Sequence, residues 1–148
     1  MEKPGFIVRF YDKAYEDKSI EELAEAPVAS ISGVSKSDAE DLRKAFGIKT
    51  VEDLATNTYV TLAQGINCFS ACSGKILDKD FESEEYEDLA MKPVSAISGV
   101  SEQDAVLLKK AFGIDSIREL AENKYVAIAQ ATVALASLVK LLKAVGAI

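Results

Sequence analysis

Apolar positions along this chain recur at helical, not strand, spacing. Ala39, Leu42, Ala45 and Phe46 sit three or four residues apart, as do Ala105, Leu108, Ala111 and Phe112. That spacing places each set on one face of a helix. Start and stop signals bracket these runs. Ser19 with Glu22, Ser35 with Asp38, and Thr50 with Asp53 each pair a capping hydroxyl with a carboxylate three residues on, which satisfies amide groups left bare at a helix start. Pro27 ends one helix and opens a short turn. Gly33 predicts a tight turn, and Gly47 a left-handed cap that Ile48 folds back to cover. Asn57 marks a further stop, after which a long uncharged helix begins near Tyr59.

The same punctuation returns later in the chain. Residues 21–64 align with residues 87–130 without a gap, at an offset of 66, and 25 of the 44 positions are identical. This is a duplication. A weaker match continues upstream, with Asp12 and Lys13 over Asp78 and Lys79 and Tyr15 over Phe81. The repeats divide the chain into residues 1–73 and 74–148, the first recognisable from Val8. In the second copy Ser101 with Asp104, Gly113, Ile114, Ser116 with Glu119, Asn123 and Tyr125 take the corresponding places. Local signals that agree in both copies make the prediction consistent. The fold class is all-α, with two pseudo-symmetric repeats in one compact helical body. The exception is GFIVRFY near the N-terminus, whose β-branched and aromatic residues suit a strand but have no evident partner, which leaves it extended or irregular.

The two long helices are apolar over more than one face, and the second is rich in Ala. A helix hydrophobic around most of its circumference is expected to be buried on several sides. Two arrangements satisfy that. The simpler packs the long helices against each other along the pseudo-twofold axis of the duplication. The other pairs part of the last helix, Leu135, Leu138, Val139 and Leu142, with a second chain, the small residues Ala131, Ala134 and Ala136 permitting close approach. The uncharged stretch Val145, Gly146, Ala147, Ile148 favours a buried or partner-bound end.

Charge narrows the function classes. The net charge is −7, from 17 basic and 24 acidic residues, and neither half is basic. Such a surface repels nucleic acid and anionic membranes at long range. Residues 125–139 form an uncharged run of about fifteen, short of the roughly 20 apolar residues that span a bilayer. With no apolar leader pattern in MEKPGF, a soluble cytoplasmic protein is expected. The chain has no His, so acid–base catalysis would fall to carboxylates, Lys or Tyr. No nucleophile–base arrangement appears, and Gly47 and Gly113 read as helix caps, not a phosphate cradle. Cys68 and Cys72 are four apart on one helix and read as buried, unreactive thiols. The acidic run DFESEEYED reads as a solvated helix start. No enzymatic role, cofactor or metal site is expected.

One motif points further. The stretch ISGVSxxDAxxL resembles the helix-hairpin-helix family through Gly33, Val34, Ala39 and Leu42, and again through Gly99, Val100, Ala105 and Leu108. The continuation FGIxTVxDLA is similar to the small helical domains that precede recombinase cores and to SAM-type helical domains. The resemblance implies nucleic-acid binding, with hairpin amides and the helix dipole holding a phosphate. On that reading the contact residues are Gly33, Ser35, Lys36, Arg43 and Lys44, with Gly99, Ser101, Lys109 and Lys110. This chain departs from the family where Ser35 and Ser101 replace the second hairpin glycine. Asp38 and Asp104 also place carboxylates in the first helical turn, where they cap the amides a phosphate needs. The sequence therefore favours a non-catalytic interaction or assembly module, with a protein partner or self-association. Nucleic-acid binding through the hairpins is the alternative.

Overall fold

The computed structural model describes residues 5–76 and 84–148, with the side chains of residues 71–76 and 84–87 outside that set. Eight helices are found among the described residues. They are α1 (Ile20–Glu25), α2 (Lys36–Phe46), α3 (Val51–Thr56), α4 (Thr58–Ile76), α5 (Glu84–Met91), α6 (Glu102–Phe112), α7 (Ile117–Ala121) and α8 (Lys124–Ala144). Single 3-10 turns at Val28–Ser30 and Val94–Ala96 precede the two hairpins. No strand forms among the described residues.

The caps form as the sequence requires. Ser19, Ser35, Thr50, Ser101 and Ser116 each make a reciprocal capping box with the carboxylate three residues on. Asn57 and Asn123 are starts as well as stops. Each side-chain oxygen accepts from two amides of the following helix, Tyr59 and Val60 or Tyr125 and Val126. Isolated bridges at Pro27 with Thr50 and at Pro93 with Ser116 tie each pre-hairpin turn to the start of the later short helix.

The two repeats are interleaved. Helix α4 leaves the first repeat and packs on α5 and α7 of the second, while α8 packs on α1 and α3 of the first. The long helices therefore do not run along each other as expected. They meet at the equivalent residues Gln64 and Gln130, whose amides exchange hydrogen bonds of 2.8 Å in both directions. Each amide also donates to a carbonyl of the opposite repeat, Ala121 or Ala55. This pair marks the pseudo-twofold axis. Farther along α4, the Arg118 guanidinium donates to Asn67 and Ser70. The line between residues 73 and 74 falls within α4.

The interleaving joins both repeats in one core, from Leu23, Val28, Ile31, Leu42 and Leu54 to Leu108, Ile117, Leu120 and Val126. Helices α2 and α6 pack side by side. Phe46, in the last turn of α2, lies 4.8 Å from the Tyr59 ring, and the Tyr59 hydroxyl reaches Gly99, just before α6. Phe112, Tyr125 and Gly33 repeat the arrangement, so α2 and α6 run antiparallel.

The N-terminal GFIVRFY stretch is not extended. Gly5–Phe10 forms a 3-10 helix, and Tyr11 then bridges to Ile31. Ile7 and Tyr11 are 3% and 4% exposed. The buried Tyr11 hydroxyl bonds Thr132 Oγ1 on α8 at 2.6 Å.

Candidate functional site

The two hairpins and the outer face of α8 are the candidate surfaces. At the first hairpin Gly33 takes φ +96° and Gly99 takes +95° at the second, a conformation open to glycine at little cost. The amide of Ser35 donates to Asp38 Oδ2 at 3.1 Å, and the amide of Asp38 donates to Ser35 Oγ at 2.9 Å. Ser101 and Asp104 repeat this at 3.1 and 3.0 Å. Two amides at each helix start are thus occupied by the protein's own side chains. The hairpin carbonyls are occupied too. The Tyr125 hydroxyl donates to Gly33 O, and Tyr59 to Gly99 O. A tyrosine from each repeat closes over the other's hairpin.

The basic residues fall into two groups. Lys36, Arg43 and Lys49 line a shallow groove along α2, with Ala29, Ala39, Ile48 and the carboxylate of Glu40. Arg43 is held there bidentately by Glu40, at 2.9 and 2.6 Å. The hydrogen bond from Arg43 keeps Glu40 below the ordinary carboxylate range, and the same bond raises Arg43. The equivalent positions in the second repeat are Glu102, Lys109 and Asp115, and there Lys109 pairs with Asp115. Lys44 and Lys110 are exposed in the last turns of α2 and α6. Because α2 and α6 are antiparallel, Arg43 and Lys44 lie at the end of the pair that carries the second hairpin. Lys109 and Lys110 lie at the end that carries the first. The sequence could not bring these groups together, because the pairing is between repeats.

Residues 25–66 match the family model described as a SAM-like helix-hairpin-helix tandem. Over these residues the first repeat is similar to that family. The match runs from the end of α1 through the hairpin, α2 and α3 into α4, and the second copy of the helix-hairpin-helix follows from the duplication. No curated protein and no solved structure matches the chain.

The other surface is α8. Its inner face buries Val126, Ala129, Thr132 and Ala136, and Val139 packs on the same core. Among the residues proposed for a partner, Leu135 and Leu138 are exposed, at 38% and 50%. Val139 and Leu142 are half-buried. Ala136 faces the molecule's own core, not a partner. Leu141, which sequence reasoning missed, is 60% exposed, and Val145 and Ile148 are more than half exposed. The helix is thus not buried around its circumference, because one repeat covers one side only. The segment Ile117–Ala144 is by length and composition apolar enough to cross a membrane, but its inner face is a packing face within the fold.

Cys68 is exposed, contrary to the expected burial. Val60, Ala63 and Ser70 take the inner face of α4, which turns position 68 outward. The Cys72 side chain lies outside the described residues, as does most of the acidic run from Asp80 to Asp88 and the upstream match at Asp78, Lys79 and Phe81.

Proposed function

We propose that this chain is a non-catalytic interaction or assembly module, working in the cytoplasm, that recognises a protein partner through the outer face of α8. The carrying observation is the exposure of Leu138, Leu141 and Val145 at 50%, 60% and 68% on one side of a single helix. Large apolar side chains collected on one face favour contact with another macromolecule over contact with water. The hairpins support this, since Asp38 and Asp104 place a carboxylate on the amide of Ser35 or Ser101, where it repels a phosphate. Cross-linking with mass spectrometry on native extract tests the reading, with Leu141→Glu as the control. Partners joined to the wild type but not to the variant support it, and identical products from both count against it.

A second reading rests on a separate observation. Lys36, Arg43 and Lys49 line one groove along α2, which starts beside the first hairpin, where Lys110 also lies. Under this reading the first hairpin, not the second, contacts a nucleic-acid backbone. Affinity for labelled DNA would fall steeply between low and moderate salt, because each neutralised phosphate releases counterions. Fluorescence anisotropy on double- and single-stranded DNA decides it. Absence of binding at low salt leaves the hairpins as architecture.

A further inference from the structure

The outer side of α8 has an ordered pattern. Ala127, Ala131, Ala134, Leu138, Leu141 and Val145 are all exposed, and the steps between them alternate between four and three residues. That is the 3.5-residue period of a seam between two supercoiled helices. The seam contains no charged residue. The charges of α8 are Lys124, Lys140 and Lys143, and Lys143 is turned toward the first repeat, 2.7 Å from Glu21.

We propose that a second copy of this chain occupies the seam, its α8 antiparallel to the first. The proposal deepens the interaction reading and rests on it. Large and small residues are segregated along the seam, with three alanines in the first half and Leu138, Leu141 and Val145 in the second. An antiparallel pair centred at position 136 sets Ala127 against Val145, Ala131 against Leu141 and Ala134 against Leu138 of the other copy. Every layer then holds one alanine and one larger residue, so the helices keep a constant separation. A parallel pair would stack alanine on alanine at one end and leucine on leucine at the other. Helix separation follows the side chains in contact, between about 8 and 10 Å, and such a pair would splay.

Charge selects the same arrangement. In the antiparallel pair Lys124 of one copy lies opposite position 148, just beyond the C-terminal end of the other copy's α8. The terminal carbonyls there carry partial negative charge and favour a cation. A parallel pair would set Lys124 against Lys124. The net charge of −7 opposes both self-association and an anionic bilayer at long range. The uncharged seam lets a second copy dock once salt screens that repulsion, over about 8 Å at physiological ionic strength.

Sedimentation velocity of the full chain over a range of concentrations at moderate salt is the test, with Leu138→Glu as the comparison. Leu138 is half exposed, and circular dichroism checks that the variant keeps its helices. The expected result is a concentration-dependent dimer that Leu138→Glu weakens by roughly tenfold or more. With Cys68 and Cys72 replaced by Ser, Ala131→Cys combined with Leu141→Cys should oxidise to a covalent dimer. Ala131→Cys alone should not. A dimer indifferent to Leu138→Glu, or cross-linking by Ala131→Cys alone, overturns the arrangement. A monomeric wild type overturns self-pairing. If that monomer cross-links to another protein, or floats with phosphatidylcholine vesicles, and Leu138→Glu abolishes the contact, the seam has a different occupant. The protein case leaves the interaction reading standing, and the vesicle case replaces it. If Leu138→Glu alters nothing, both fall.

Discussion

The hydroxyl of Tyr125 lies 3.3 Å from the carbonyl oxygen of Gly33, 92 residues earlier in the chain. A Cβ added at Gly33 would stand 2.7 Å from that hydroxyl. Two costs follow for Gly33→Ala. The backbone at φ +96° strains a side-chain-bearing residue by about 1–3 kcal/mol, and the tyrosine must swing off the hairpin. Urea unfolding should show the loss. Combined with Tyr125→Ala, the two substitutions should cost less than their sum, because they disrupt one contact. Strict additivity would mean that the tyrosine does not hold the hairpin.

Interleaving makes each repeat dependent on the other. Residues 1–76 alone lack α8, which covers α1 and α3. Two copies of this fragment can exchange α4 instead, turning the pseudo-twofold into a true one. Tyr59 of one copy would then close over Gly33 of the other, and Gln64 would pair with Gln64. The expected outcome is a fragment that folds only as a dimer, with a melting temperature that rises with concentration. A fragment that is a folded monomer by sedimentation would contradict this.

Local structure was legible because each helix carries its own signals. Ser35 with Asp38 and Ser101 with Asp104 needed no knowledge of the rest of the fold. Interleaving was not legible, since hydrophobic pattern says that α4 and α8 bury a face but not whose core receives it. Gln64 and Gln130 held the one clue, an identical amide at the equivalent place of a long, largely apolar helix in both repeats. The outer face of α8 was half legible. Leu138 is exposed as expected, but Val139, one residue on, turns inward, and only the orientation of α8 on the first repeat distinguishes them. The N-terminal turn was legible only as extended or irregular chain, because β-branched and aromatic residues at Ile7, Val8 and Phe10 suit strands in general. The contact between Tyr11 and Thr132 overrides that preference.

Asp41 marks a place where the repeats differ at a cost. It is 5% exposed, and its Oδ2 has no hydrogen-bond partner among the described residues. The equivalent position in the second repeat is Leu107. A buried polar atom left without a partner costs about 1–3 kcal/mol. Asp41→Leu should therefore raise the urea midpoint with an unchanged slope. A variant of equal or lower stability would mean that the carboxylate has a partner in solution, and the hairpin helix would then be the place to look for a ligand.

Tyr11 gives the fold a sensitivity to alkali. Burial raises its phenol above the ordinary value of 10.0, and the bond with Thr132 lowers it by less. The folded state therefore holds this proton more tightly than the unfolded chain does. The resulting stability is fully present below the unfolded value. It is lost as pH rises through the folded one, because the unfolded chain ionises first. Wild-type protein should lose stability more steeply above about pH 10 than Tyr11→Phe, which has no proton to release there. At pH 7 the wild type should be the more stable, because Phe lacks the hydroxyl that bonds Thr132 and leaves Thr132 only its bond to Ile128 O, at a cost of about 1 kcal/mol. Urea midpoints of both proteins at pH 7, 9 and 11 test the pair of expectations. Parallel lines for the two proteins would show that Tyr11 ionises as freely in the fold as outside it, and that its burial beside α8 does not hold in solution.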